Sequence, residues 1–245
     1  MESYKLEIAK NLEDYIIGLD DTFSFKCRSC GACCRQRDDI LLTAQDLFNI
    51  AVKLSLTTTQ VIDKYCEVLI GHDTRMPIAR LKPQGVRKDC PLLKGGRCLV
   101  HDSKPSVCAL YPLGRVVLVN TRDPMDDTKP GQISDVKYIL TKFTCGSLKK
   151  KQTVRSWLQR FNVPIDDIFF AKWNEFIVKY VECIKLIEKR PDATHKGMEK
   201  LLNRVFIKIY IDYNTQAEFM PQFETNTADV IRICKLLADY GNANS

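Results

Sequence analysis

The chain has 245 residues, a formal charge of +7 and 45% hydrophobic residues, enough apolar material to bury a core and too much for wholesale disorder. No apolar run approaches the roughly 20 residues that a membrane-spanning helix needs, so a soluble protein is expected. The unusual residue is cysteine: eleven, against three histidines.

Residues 1–20 place Leu6, Ile8, Leu12, Tyr15 and Ile16 at helical spacing and predict an amphipathic N-terminal helix. The same stretch lacks the apolar centre and small-residue cleavage site of a secretory signal, so a reducing cytoplasm is the expected compartment. Residues 23–37 are too rich in Cys, Gly and charge for a periodic element and read as a ligand loop. Beyond the short apolar run Ile40 to Leu42, Thr43 followed by Asp46 has the form of a capping box opening a helix through Leu47, Ile50, Ala51 and Leu54. A second helix is expected from Thr57 or Thr58 through Val61, Ile62, Tyr65 and Leu69.

The pattern then turns to short strands: Ile78 to Leu81, a turn at Lys94-Gly95-Gly96-Arg97, Arg115 to Asn120, and Val136 to Leu140. Residues 123–131, with Pro124, Pro130 and Gly131, read as a surface loop. After Lys149, Lys150 and Lys151, Val154, Trp157, Leu158 and Phe161 recur at i, i+3, i+4 and i+7, and helical patterns follow over residues 165–188, 198–211 and 227–240. The expected architecture is α+β: a cysteine-rich metal-binding domain of short helices and small antiparallel strands over residues 1–148, with a C-terminal helical bundle over residues 149–245.

In a reducing compartment, clustered cysteines bind metal or do redox chemistry more often than they form disulfides. The first group is Cys27-x2-Cys30-Gly31-x-Cys33-Cys34, in which two-residue gaps aim successive sulfurs at one centre and Gly31 supplies the tight turn. The second is Cys90-Pro91 with Cys98 across the Gly95-Gly96 turn, continuing to Cys108; Cys145 stands apart, before Gly146. These eight thiols exceed the four that one tetrahedral ion uses, and adjacent Cys33 and Cys34 do not readily serve one compact ion. Cys27-x2-Cys30-x2-Cys33 also repeats the start of the bacterial 4Fe–4S spacing, while all-thiolate ligation suits zinc equally. Cys66, Cys183 and Cys234 lie within helical apolar patterns and read as buried hydrophobes. His101 follows Cys98 at a ligand spacing but is placed outside the set, His72 reads as a turn residue, and His195 as an exposed helix start.

Taken with Leu42-Thr43-x2-Asp46-Leu47 and Cys98-x2-His101-x3-Pro105-x2-Cys108-x2-Tyr111-Pro112, these blocks resemble the YkgJ-type cysteine-cluster family over roughly residues 23–148. That family is described as zinc- or iron-chelating and is sometimes named an Fe–S oxidoreductase. The resemblance implies Cys27, Cys30, Cys33, Cys34, Cys90, Cys98, Cys108 and Cys145 as metal ligands, and an iron–sulfur cluster or zinc as the cofactor. It also implies electron transfer, an oxidoreductase, or S-adenosylmethionine-dependent lysine methylation as activities, because some flagellin lysine methylases carry a similar cluster. The alternative is a non-catalytic zinc module. One departure is Lys104, where the family has arginine, which removes a bidentate guanidinium.

Arg28, Arg35, Lys104 and Arg115 are expected near the cluster, moderating its negative charge. Lys142, Lys149, Lys150, Lys151, Arg155 and Arg160 interleave with Trp157 and Phe161, but the aromatics keep helical spacing and point to a core, so nucleic acid is not the favoured partner. A protein partner for the C-terminal helices is the remaining expectation.

Overall fold

Thr43 caps a helix as its sequence predicts: its side chain accepts from the Asp46 backbone N–H, and the Asp46 carboxylate accepts from the Thr43 N–H. This is α1 (Ala44–Leu54) in the computed structural model, which describes residues 12–28, 30–119, 133–143 and 145–240. Residues 1–11, the bulk of the expected N-terminal helix, and the loop at 123–131 lie outside those bounds. A single 3₁₀ turn (Leu12–Tyr15) precedes β1 (Ile16–Ile17), so Ile16 sits in a strand and not on a helical face.

A second capping box, Thr57 with Gln60, opens α2 (Thr58–Tyr65). That helix stops one residue before Cys66, and β3 (Cys66–Ile70) pairs antiparallel with β4 (Pro77–Leu81), Cys66 opposite Leu81. The expected continuation through Leu69 is therefore corrected: Val68, Leu69 and Ile70 alternate in exposure along a two-stranded ribbon, a period of two that a short apolar run does not separate from a helical one. Cys66 is buried as expected, but at a strand start.

The Gly95-Gly96 turn joins β5 (Leu93–Lys94) to β6 (Arg97–Cys98), with both glycines at positive φ (55° and 77°), the conformation a tight hairpin demands. After α3 (Ser106–Leu110), β7 (Leu113–Val119) and β8 (Ile133–Leu140) pair antiparallel, with a register shift between Leu118 and Val119, and β1 completes the sheet in the order β1-β8-β7.

β2 (Thr22–Lys26) pairs antiparallel with β9 (Ser147–Thr153). Phe23 to Lys26 are thus strand and not ligand loop, and Lys149 to Lys151 are strand residues, Lys151 opposite Ser24, more than 120 positions earlier. Residue 148, where the composition shifts, falls inside β9.

Four further helices follow: α4 (Val154–Arg160), α5 (Ile168–Glu188), α6 (His195–Phe206) with a π-helical turn at Ile207–Ile211, and α7 (Phe219–Tyr240). Among the described residues the fold is mixed α+β, with seven α-helices, small antiparallel strand sets and a helical C-terminal part, as expected.

Two buried clusters hold this together. The larger joins α1, α2, β3 and β4 to α5, α6 and α7, through Leu47, Ile50, Val61, Ala79, Tyr180, Tyr210 and Val230. Tyr210 Oη donates to the Leu42 carbonyl at 2.9 Å, and Thr58 Oγ1 donates to the Ile211 carbonyl at 2.8 Å. Cys183 and Cys234 lie inside this cluster, as buried hydrophobes do. The smaller cluster centres on Phe25, whose ring meets Phe143 at 5.0 Å and Trp157 at 5.5 Å edge to face, with Leu110, Tyr138 and Leu158 around them. Trp157 is thus core, as its spacing predicts, and its indole N–H donates to the Leu110 carbonyl at 3.0 Å.

Candidate metal centre

The first cysteine group is shaped by Gly31. Its φ of 67° lets the chain turn into a 3₁₀ turn (Ala32–Cys34), and a Cβ there would stand 3.3 Å from both the Gly96 carbonyl oxygen and Leu93 Cδ1. The glycine therefore serves a close approach as well as a turn, pressing the first loop against the β5–β6 hairpin. Backbone pairing extends the contact. Gln36 N–H donates to the Arg87 carbonyl at 3.1 Å, Arg37 N–H to Lys88 at 3.3 Å, and Cys90 N–H to Cys34 at 2.8 Å. Two cysteine groups more than 50 residues apart are thereby zipped together.

Cys108 arrives from a third direction, on α3. Asp46 accepts hydrogen bonds from the Ser106 N–H at 2.7 Å and the Ser106 Oγ at 3.3 Å, tying the start of α3 to α1. Burial pushes the Asp46 carboxyl up from its ordinary range, while the bonds from Thr43 and Ser106 pull it back.

The outcome is one cavity of about 460 Å³ onto which Cys27, Cys30, Cys33, Cys34, Cys90, Cys98 and Cys108 all open. Cys145 is not among its lining residues. Its thiol lies 3.5 Å from Tyr111 Oη, and Tyr111 lines the cavity. The glycine after it, Gly146, has φ of 83° and sits where a Cβ would be 2.4 Å from Phe25, which fixes this turn against the smaller core. The cavity lies at the seam of the two cores: Cys90, Cys98 and Cys108 pack on the larger, Cys27 and Cys145 on the smaller.

The thiols differ in acidity. A hydrogen bond from Cys34, helped by the nearby Lys104 and Arg37 cations, pulls Cys33 down to about 6 against the cost of burial. Cys34, as the donor, is pushed up. Burial pushes Cys90, Cys98 and Cys108 up as well, so these three and Cys34 would have to release protons on binding a metal. Cys145 is raised by the same cause. Among the described residues no group of three or more Cys, His, Asp or Glu side chains is already arranged around one point to hold an ion; the thiols line a chamber instead. Their chemistry nevertheless fits a soft metal, because sulfur donors converge from several elements and positive charge stands ready to offset thiolates.

That positive charge comes partly from an unexpected residue. Arg37 lines the cavity, donates to the Cys33 carbonyl at 3.1 Å and pairs with Asp39 at 2.6 Å. Sequence gives it no distinction, since it stands in the mixed-charge run Arg35-Gln36-Arg37-Asp38-Asp39. Arg35 donates to the Cys30 carbonyl at 3.3 Å, and Lys104 lines the cavity, both as expected. Arg28 is exposed and is not among the lining residues. Arg115 is elsewhere: it is bound to Asp167 at 2.8 Å and held over the Phe170 ring at 3.5 Å, so its expected place near the cluster is corrected. His101, set outside the ligand candidates, also borders the cavity.

A family model described as a "putative zinc- or iron-chelating domain" matches residues 26–152, a span that contains all eight candidate ligands. No curated protein and no solved structure matches the chain. No helix among the described residues is long and apolar enough to cross a membrane.

Proposed function

The chain belongs to the CxxCxxCC family of zinc- or iron-chelating domains, and from that premise we propose that its thiol cavity holds an iron–sulfur cluster. The observation that carries this reading is the number of thiols on one chamber. A single tetrahedral ion takes four, whereas seven open here onto about 460 Å³. A polynuclear centre bridged by inorganic sulfide uses such a chamber, and sulfur ligands from several loops are its usual support. Cys27, Cys30 and Cys33 supply the clustered ligands and Cys108 or Cys90 the remote one. Arg37 and Lys104 offset the negative charge of the assembly. When bound, the cluster would supply one-electron chemistry, for electron transfer or as part of an oxidoreductase or methylase.

The second reading is a pair of zinc sites that close the domain without catalysis. It is favoured by the seam position, since metal linking Cys27 to Cys90, Cys98 and Cys108 would staple the smaller core to the larger.

Purification without oxygen, followed by a visible spectrum and assays of iron, zinc and acid-labile sulfide, separates the two. A brown protein with iron and sulfide is expected. A colourless protein with zinc and no sulfide would sink the cluster.

A further inference from the structure

β3 is an edge strand. Its neighbour β4 is covered on the far side by the chain itself: Leu41 bridges to Arg80, Leu42 N–H donates to the Ala79 carbonyl at 2.8 Å, and Leu81 N–H donates to the Ile40 carbonyl at 3.0 Å. The outer side of β3 meets no strand among the described residues.

The register sets which backbone groups face that open side. Lys82 N–H donates to the Tyr65 carbonyl at 2.8 Å, and Gly71 N–H donates to the Met76 carbonyl at 2.9 Å. Bonded and unbonded pairs alternate along an antiparallel ladder, so Glu67 and Leu69 turn their N–H and C=O toward β4, while Val68 and Ile70 turn theirs outward. Pro77, opposite Ile70, has no N–H to give across the ladder and fits an unbonded position. No hydrogen bond reaches the outward groups of Val68 or Ile70 among the described residues.

The side chains stop short in the same place. Val68 and Ile70 share a face with Ala79 and Pro77, their partners on β4, and both partners are buried. Val68 is nevertheless 43% exposed and Ile70 50%. Edges of this kind are ordinarily blunted by lysine, proline or a bulge. β9 carries such protection, with Lys149, Lys150 and Lys151 all exposed and a register shift in its ladder. β3 carries none: its ladder runs unshifted from Cys66 to Ile70, and its one charge, Glu67, is matched within the molecule by Arg80 at 2.7 Å.

We infer that β3 is a self-association edge, at which two copies of this chain pair their β3 strands antiparallel about a two-fold axis and form a continuous sheet in the order β4-β3-β3-β4. Val68 of each copy lies opposite Ile70 of the other, so the outward N–H and C=O groups of both residues are paired in both copies. Leu69 meets Leu69 of the second copy across the axis. Glu67 falls opposite Gly71 of the second copy, so no like charges are set together. A second copy fits because the edge complements itself: bonding groups at i and i+2, apolar side chains on one face, and no net charge to repel a like strand. The contact is short, so the dimer is weak and its population depends on concentration. It does not rest on the metal.

The test is sedimentation equilibrium of the full chain over about a hundredfold range of concentration, where a monomer–dimer equilibrium is expected. Ile70→Lys places a charge on the edge, and Val68→Pro removes an outward donor while sparing every bond between β3 and β4. Each should weaken dimerisation by about tenfold or more. Val86→Lys, at a fully exposed position away from β3, should leave it unchanged. Far-UV circular dichroism of each variant, expected to match the parent, separates lost pairing from lost fold, and if the proline variant fails to fold, Ile70→Lys decides. A monomer at every concentration, which would leave the edge to an extended segment of another protein, overturns the inference. So does a dimer that survives Ile70→Lys in a folded protein.

Discussion

The Asp46 carboxylate accepts a 2.7 Å hydrogen bond from the backbone N–H of Ser106, two residues before Cys108 and 60 residues away in sequence. The same carboxylate closes the capping box of α1. One buried acid thus orders a helix start and aims a thiol.

Asp46→Ala therefore leaves the Thr43 and Ser106 N–H groups without acceptors, and about 2–4 kcal/mol of stability should be lost. Metal content should fall with it, because α3 is no longer anchored to α1. Urea denaturation with metal analysis checks both; a variant that loses stability and keeps all its metal would remove the link between Asp46 and Cys108.

The cavity divides the cysteines. Cys27→Ser, Cys30→Ser and Cys108→Ser should lose most of the bound metal, whereas Cys183→Ser, in the larger core, should retain it. Cys145→Ser should fall between, since its thiol lies beside Tyr111 and is not among the residues that line the chamber. Metal per chain, measured after desalting, decides. Full metal content in all three loop variants would dismiss the chamber as the site.

Gly31→Ala places a methyl group 3.3 Å from the Gly96 carbonyl oxygen in a left-handed backbone, at a cost of about 1–2 kcal/mol. The first loop should draw back from the β5–β6 hairpin, lowering metal affinity more than overall stability. A competition titration against a coloured chelator reads the first, and thermal unfolding the second.

Chelation should loosen the seam between the two cores. Trp157, in the smaller core against which Cys27 and Cys145 pack, is expected to become accessible to a fluorescence quencher before Trp173 in the larger one. Single-tryptophan variants separate the two signals. Equal accessibility of both on chelation would argue against a metal at the seam.

In the chelated, reduced protein Cys33 should be the first thiol alkylated by iodoacetamide. Its acidity is raised, so its thiolate is populated above about pH 6, while burial keeps Cys108 protonated well above neutrality. Peptide mapping after brief labelling at pH 7 identifies the residue modified.

What the amino-acid sequence determined by itself was local. Capping boxes at Thr43 and Thr57, the Gly95-Gly96 hairpin, the glycine turn within the first cysteine group and the apolar face of α4 each depend on residues within a few positions of one another. Their steric and hydrogen-bonding logic is therefore written in order along the chain. The tertiary structure alone decided which thiols share a chamber, that β9 returns to pair with β2, and that Val68 to Ile70 extend as a strand. It also brought Arg37 to the chamber, sent Arg115 away from it, and set Lys104 against Phe161. Those outcomes depend on burying two apolar clusters at once, and no spacing within a short segment records which distant surface will cover it.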